Sequence, residues 1–114
     1  FIEVFDKETH RKAGRRENID ITAEEFKEWV IGRWSFPPEI HMKDYGHPAM
    51  FPEELPRRLI RLFSYQNDIV LDPFNGAGTT TLVASKLSRR FIGIDISEEY
   101  CGIARSRIGF AEKP

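Results

Sequence analysis

Among its 114 residues the sequence has one cysteine, Cys101, so no internal disulfide can form, and no companion Cys stands beside it at metal-ligand spacing. Its surroundings are therefore expected to be reducing, as in a cytoplasm. No apolar run approaches the ~18 residues a membrane span requires, which excludes a membrane protein. The chain also lacks an excess of either charge: 17 Lys and Arg face 18 Asp and Glu, for a net charge of −1. Nucleic acid can then be met only through local basic clusters, Arg11, Lys12, Arg15 and Arg16 or Arg57, Arg58 and Arg61, and each taken alone reads first as solvated surface. The start, Phe1-Ile2-Glu3-Val4-Phe5, has no Met, basic region or cleavage signal, so it is not a targeting peptide. Its alternation reads as a strand already under way, as in a fragment. Repeats and low-complexity stretches are absent.

What remains is an ordinary globular composition, 40% hydrophobic and 31% charged, of a length suited to one small domain. Residues 6 to 20 read as an exposed connection. Thr22-Ala23-Glu24-Glu25 fits a capping box, and Phe26, Trp29 and Val30 follow at helical spacing, so a helix is predicted to Ile31 with Gly32 ending it. Pro37, Pro38, Pro48 and Pro52 exclude a continuous helix or central strand between Arg33 and Pro52. From Glu53 to Ser64, Leu55, Leu59, Leu62 and Phe63 recur at the spacing of one helix face, opposite the three arginines. Pro56 is tolerable there because it lies in the first turn.

Ile69-Val70-Leu71 reads as a buried parallel strand, Thr79 to Leu87 as a helix and Phe91 to Ile96 as a second buried strand. Ser97 caps a last helix that has Glu98 and Glu99 in its first turn. The order β, loop, α, β, α belongs to a parallel α/β sheet. Two parts are expected: residues 1–32, holding the opening strand, the basic connection and the short helix, and residues 33–114, holding the ligand-binding unit.

The informative loop is Asp72-Pro73-Phe74-Asn75-Gly76-Ala77-Gly78-Thr79-Thr80. It stands between a strand and the next helix, where open α/β sheets bind ligands and helix-start N–H groups point outward. Thr79 follows Gly78 where a Walker loop needs Lys, and Thr81 stands where a dinucleotide fingerprint wants Gly or Ala. A nucleoside ligand without pyrophosphate fits better. Asp72 is then placed for a cationic group, Asp95 for ribose hydroxyls and Ile96 for a base, which together match S-adenosylmethionine. The plainer alternative is that Gly76 and Gly78 only make a tight turn.

Three segments, His47-Pro48-Ala49-Met50-Phe51-Pro52-Glu53-Glu54-Leu55, Asp72 to Thr80, and Phe91-Ile92-Gly93-Ile94-Asp95-Ile96, resemble successive cofactor motifs of DNA amino-methyltransferases. These enzymes methylate adenine N6 or cytosine N4. The resemblance spans about residues 29 to 108. It implies an α/β, Rossmann-like S-adenosylmethionine-dependent methyltransferase fold, a partial parallel sheet with flanking helices, and double-stranded DNA as partner of the complete enzyme. It also implies that Ala49, Met50, Phe51, Asp72, Phe74, Asn75, Gly76, Ala77, Gly78, Thr79, Thr80, Asp95 and Ile96 contribute to the cofactor site.

The same resemblance implies a permuted order in which a polar-Pro-Pro-aromatic catalytic motif lies upstream. Pro37-Pro38 sits between Phe36 and Glu39, which lacks both flanking features, so no residue here is assigned to catalysis. Methyl transfer is expected to need an upstream segment or a second chain, with oligomerisation through open sheet edges as a further expectation. A non-catalytic interaction module retaining the fold is the competing reading, and a small-molecule or RNA methyltransferase a weaker one. Near His47 no further ligand is spaced for a metal, and none is expected. Trp29, Trp34 and Phe36 read as packing residues, and Cys101 as buried and inert.

Overall fold

The computed structural model describes residues 2–7, 14–36 and 50–112, with side chains up to residue 109. His47, Ala49 and Pro37-Pro38 fall outside the described residues.

Helix α1 spans Ala23–Trp29. Its start is the predicted capping box: Thr22 Oγ1 accepts the Glu25 N–H at 3.1 Å, and Glu25 Oε1 accepts the Thr22 N–H at 3.1 Å. The helix stops short of Ile31. The Trp29 carbonyl, which another turn would use, instead accepts the indole N–H of Trp34 at 2.8 Å.

Helix α2, Glu54–Phe63, carries Pro56 in its first turn, where no intrahelical N–H is required. It is followed by β1 (Ile69–Asp72), α3 (Thr79–Lys86), β2 (Arg90–Gly93) and α4 (Glu98–Glu112). The strands pair in parallel, with Ile69 opposite Arg90 and Asp72 opposite Gly93. Helix α3 packs on both strands and on α2 and α4. Ile60, Val83 and Ala84 form the buried centre, against which Val70, Leu87 and Phe91 pack.

Neither strand is buried on both sides. Val70 and Phe91 turn toward α2 and α3, while Ile69, Leu71, Ile92 and Ile94 are each more than half exposed. Strand side chains alternate, and the described helices cover one face of this two-stranded sheet. Strand β2 also ends at Gly93, before Ile96. Ile94 still donates to the Asp72 carbonyl at 2.9 Å, but its own carbonyl accepts from Asn75 at 2.9 Å, so beyond Gly93 the chain pairs with the loop.

The opening residues form no strand from Ile2 to Asp6, because none of the described residues offers them a ladder partner. Ile2 and Val4 instead line cavities of about 570 and 630 Å³ alongside Leu55, Leu59 and Phe63 of α2.

Two arginines tie the segment before and within α1 to the α/β unit. The side chain of Arg89 is wholly buried, and its guanidinium donates to both carboxylate oxygens of Asp20, at 2.5 and 2.9 Å, and to the carbonyls of Ser64 and Leu87, both at 2.8 Å. Arg61 donates to the Asp20 carbonyl and grips Glu25 through two bonds of 2.7 Å. Chiefly because of those bonds from Arg61, and then because of its backbone bond to Thr22, the Glu25 carboxyl lies below its ordinary pKa.

Candidate cofactor site

The loop between β1 and α3 is held from below by its own main chain and by the end of β2. Phe74 N–H donates to Asp72 Oδ1, Gly78 N–H to the Asn75 carbonyl, and Leu82 N–H to the Gly78 carbonyl, all at 2.9 Å. That last bond is the first one inside α3, so the N–H groups of Thr79, Thr80 and Thr81 are the donors that a helix start leaves open. Gly76 and Gly78 have φ of 54° and 88°, the left-handed region that glycine enters without penalty. Space as well as conformation demands Gly78: a Cβ there would stand 2.5 Å from the Ala104 Cβ of α4.

Asp95 stands just after β2 and faces this loop. Its Oδ2 accepts the Gly76 N–H and its Oδ1 the Ser97 N–H, each at 2.9 Å. The carboxylate predicted for a ribose is thus also the brace that fixes the loop to the start of α4. It keeps acceptor capacity, since each oxygen has a second lone pair. Ser97 Oγ in turn accepts the Tyr100 N–H at 3.2 Å, as an N-cap should. Asp95, Gly76, Cys101 and Ala104 line a cavity of about 290 Å³. Cys101 is half-buried, with Sγ 3.6 Å from the Asp95 carbonyl oxygen, so it is less enclosed than its helix face implies.

The predicted residues therefore divide by orientation. Ile96 is fully exposed and Phe74 is 87% exposed, two apolar surfaces at the mouth of the loop. Asp72 is half-buried, and among the described residues its Oδ2 accepts no hydrogen bond. Phe51 and Thr80 line one cavity together, and Met50 is half-buried. Ala77 and the side chain of Thr79 face inward, as does Asn75, whose amide donates to Thr81 Oγ1 at 3.0 Å. From these three the loop takes shape, while the Phe74 side chain faces outward.

The second basic cluster is committed internally. Arg57 and Arg58 pair with Glu54 at 2.9 Å, Arg61 pairs with Glu25, and all three guanidinium groups lie within 5.6 Å of the Trp29 ring centre. Arg58 also covers Trp34 and Phe36, whose rings meet edge to face, so these aromatics are packing residues. In the first cluster, Arg15 makes an exposed pair with Glu17 at 3.5 Å. Among the described residues no group of His, Cys, Asp and Glu is placed to hold a metal, and no helix is long and apolar enough to cross a membrane.

Sequence reasoning missed one residue here. Arg107 of α4 is 8% exposed, and its Nη1 donates to the Ala77 carbonyl at 3.0 Å and to Thr79 Oγ1 at 3.1 Å. A signal existed: Arg107 stands on the stripe of Tyr100, Cys101, Ala104 and Ile108, at the spacing of a buried face.

A parallel strand, a glycine loop at its carboxyl end, a helix and a carboxylate after the next strand define a partial α/β unit of the Rossmann-like, S-adenosylmethionine-dependent methyltransferase class. Within that class, the model of the N6/N4 DNA methylases, described as DNA methylase, matches residues 2–106, and the chain belongs to that family. The type II methyltransferase M.MjaI of Methanocaldococcus jannaschii is 38% identical over 99% of this chain and 39% of its own length. The DNA adenine methyltransferase YhdJ of Escherichia coli is 42% identical over 68% of the chain and 27% of its own. Among solved structures, a DNA modification methylase of Thermus thermophilus, crystallised with S-adenosyl-L-methionine, superposes with a TM-score of 0.73 at 33% identity, covering 90% of this chain and 40% of that one. The cytosine-N4-specific PvuII DNA methyltransferase covers 64% of this chain and 28% of its own, with a TM-score of 0.54 at 33% identity. The chain thus spans about two fifths or less of the length of these relatives.

Proposed function

We propose that this chain is the S-adenosylmethionine-binding portion of a DNA methyltransferase acting on the exocyclic amino group of adenine or cytosine, in a restriction-modification setting. The observation that carries the reading is the braced loop: a glycine turn tied to Asp95, with the open N–H groups of α3 beside it. The residues present fit such a ligand. Helix-start donors suit its carboxylate, the open oxygen of Asp72 its ammonium, Asp95 its ribose, and exposed Ile96 and Phe74 its adenine. Ala49, Met50 and Phe51 belong to the same proposal, as the motif that precedes α2. When bound, the cofactor supplies a methyl group on a cationic sulfur.

In this proposal residues 33–114 form the binding unit, and residues 1–32 are an attached brace, held through Asp20 and Glu25. Transfer itself needs more. The amino nitrogen of a base is a poor nucleophile because its lone pair is delocalised into the ring, so an enzyme must extract the base from the duplex and hydrogen-bond that amino group. These 114 residues hold no polar-Pro-Pro-aromatic loop for the task. An upstream segment or a second chain supplies it, and the uncovered ribs Ile69, Leu71, Ile92 and Ile94 suit a continuing protein interior.

Calorimetry with S-adenosylmethionine, together with transfer of labelled methyl groups to mixed-sequence DNA, tests the proposal. Expected are binding by the chain alone, no transfer by the chain alone, and transfer once a segment bearing the missing motif is added. Absence of cofactor binding would favour a non-catalytic interaction module. Transfer by the chain alone would place catalysis among residues such as Pro37-Pro38.

A further inference from the structure

Helix α4 grips the glycine loop through two residues one turn apart. Ala104, 6% exposed, lies against Gly78 so closely that no Cβ fits between them. Arg107, 8% exposed, reaches the same turn from the next rung and donates to the Ala77 carbonyl and to Thr79 Oγ1. The peptide joining Ala77 to Gly78 is thereby fixed at both ends: its carbonyl accepts from Arg107, and its N–H donates to the Asn75 carbonyl at 2.9 Å. Rotation of that peptide would break both bonds and disturb the turn from which the first donors of α3 project.

Packing alone does not call for arginine at this position. Burying a guanidinium is costly, and a cation beside a helix start opposes the helix dipole. An apolar residue on the stripe of Tyr100, Cys101, Ala104 and Ile108 would serve the core better. We infer that Arg107 is a positioning residue of the cofactor site, holding the Ala77–Thr79 turn in the orientation that presents the α3 donors. This inference rests on the proposed function for the identity of the ligand, but the mechanical role can be read without ligand.

The test uses the 114-residue chain and two readouts, amide hydrogen exchange without ligand and calorimetric binding of S-adenosylmethionine. In Arg107→Met, exchange at Gly76, Gly78 and Leu82 should quicken roughly tenfold or more relative to amides of α2, and the cofactor Kd should rise about 10- to 100-fold. Arg107→Lys, which keeps the charge but not the planar fork, should recover only part of both effects. Should Arg107→Met fail to fold, Thr79→Val removes one acceptor from the other side and should loosen the same amides to a smaller degree. Asp20→Ala, which breaks the other buried arginine clamp, should lower the melting temperature without selective exchange at the loop. Uniform acceleration across loop and α2 in Arg107→Met and Thr79→Val would overturn the inference. So would an unchanged cofactor Kd in a folded Arg107→Met chain when the parent chain binds. Selective loosening in Arg107→Met when the parent binds no cofactor would uphold the positioning role and defeat the proposed ligand instead.

Discussion

Gly78 and Ala104 touch: the αC–H of the glycine faces the methyl of the alanine with no room for another carbon, and φ at Gly78 is 88°. Helix α4 can approach the loop only because of that glycine. Gly78→Ala therefore combines an unfavourable backbone conformation with an overlap against Ala104. A loss of about 2–4 kcal/mol in stability is expected, with cofactor binding weakened further by the displaced turn. Denaturant titration and calorimetry check the two parts, and a loss below about 1 kcal/mol would mean that the loop relaxes freely.

Asp95 serves both the loop and the proposed ribose contact. Asp95→Ala removes acceptors from Gly76 and Ser97 and should weaken S-adenosylmethionine binding by about 1–3 kcal/mol. Asp95→Asn keeps one oxygen acceptor and should fall between the parent and the alanine variant. Equal affinity in all three would remove Asp95 from the site.

The Asp20–Arg89 pair bridges residues 69 apart in sequence, and the arginine side chain is wholly buried. Asp20→Ala leaves a buried cation uncompensated and should destabilise the chain by about 3–5 kcal/mol, read from thermal or denaturant unfolding. Because the arginine is buried and Asp20 largely so, the parent's stability should respond weakly to moderate salt. A near-neutral Asp20→Ala would show that water reaches Arg89.

Glu25 carries a pH prediction. Its pKa is lowered in the folded chain, so the stability it contributes is fully present above its unfolded pKa and is lost as pH falls through the folded value. The loss should begin in the ordinary carboxylate range and continue below it. Glu25→Gln should be less stable than the parent near neutral pH, and the gap should close as the solution is acidified. A gap independent of pH would mean that Glu25 acts through packing and its cap alone.

Local chemistry made much of this protein legible before any fold was known. The Thr22–Glu25 capping box, the extent of α2, the order β, loop, α, β, α and the glycines of the turn each depend on residues close together in the chain, and each is present. The inner face of α2 differs from the predicted stripe: Ile60 is buried, while Phe63 is half exposed, because α3 packs on the Ile60 side. Periodicity does not reveal what lies across a sheet. Ile69, Leu71, Ile92 and Ile94 read as buried, yet one side of their sheet is uncovered among the described residues. The same limit applies to Ile2–Phe5, whose alternation needs a strand neighbour before it can become a strand. Only tertiary structure decided the long-range polar contacts: Arg89 with Asp20, Arg61 with Glu25, and Arg107 with Ala77 and Thr79. Hydrogen bonds and charge pairs depend on position in space: the stripe of α4 marks Arg107 as inward-facing, but no spacing in the sequence names the partner of any of these arginines.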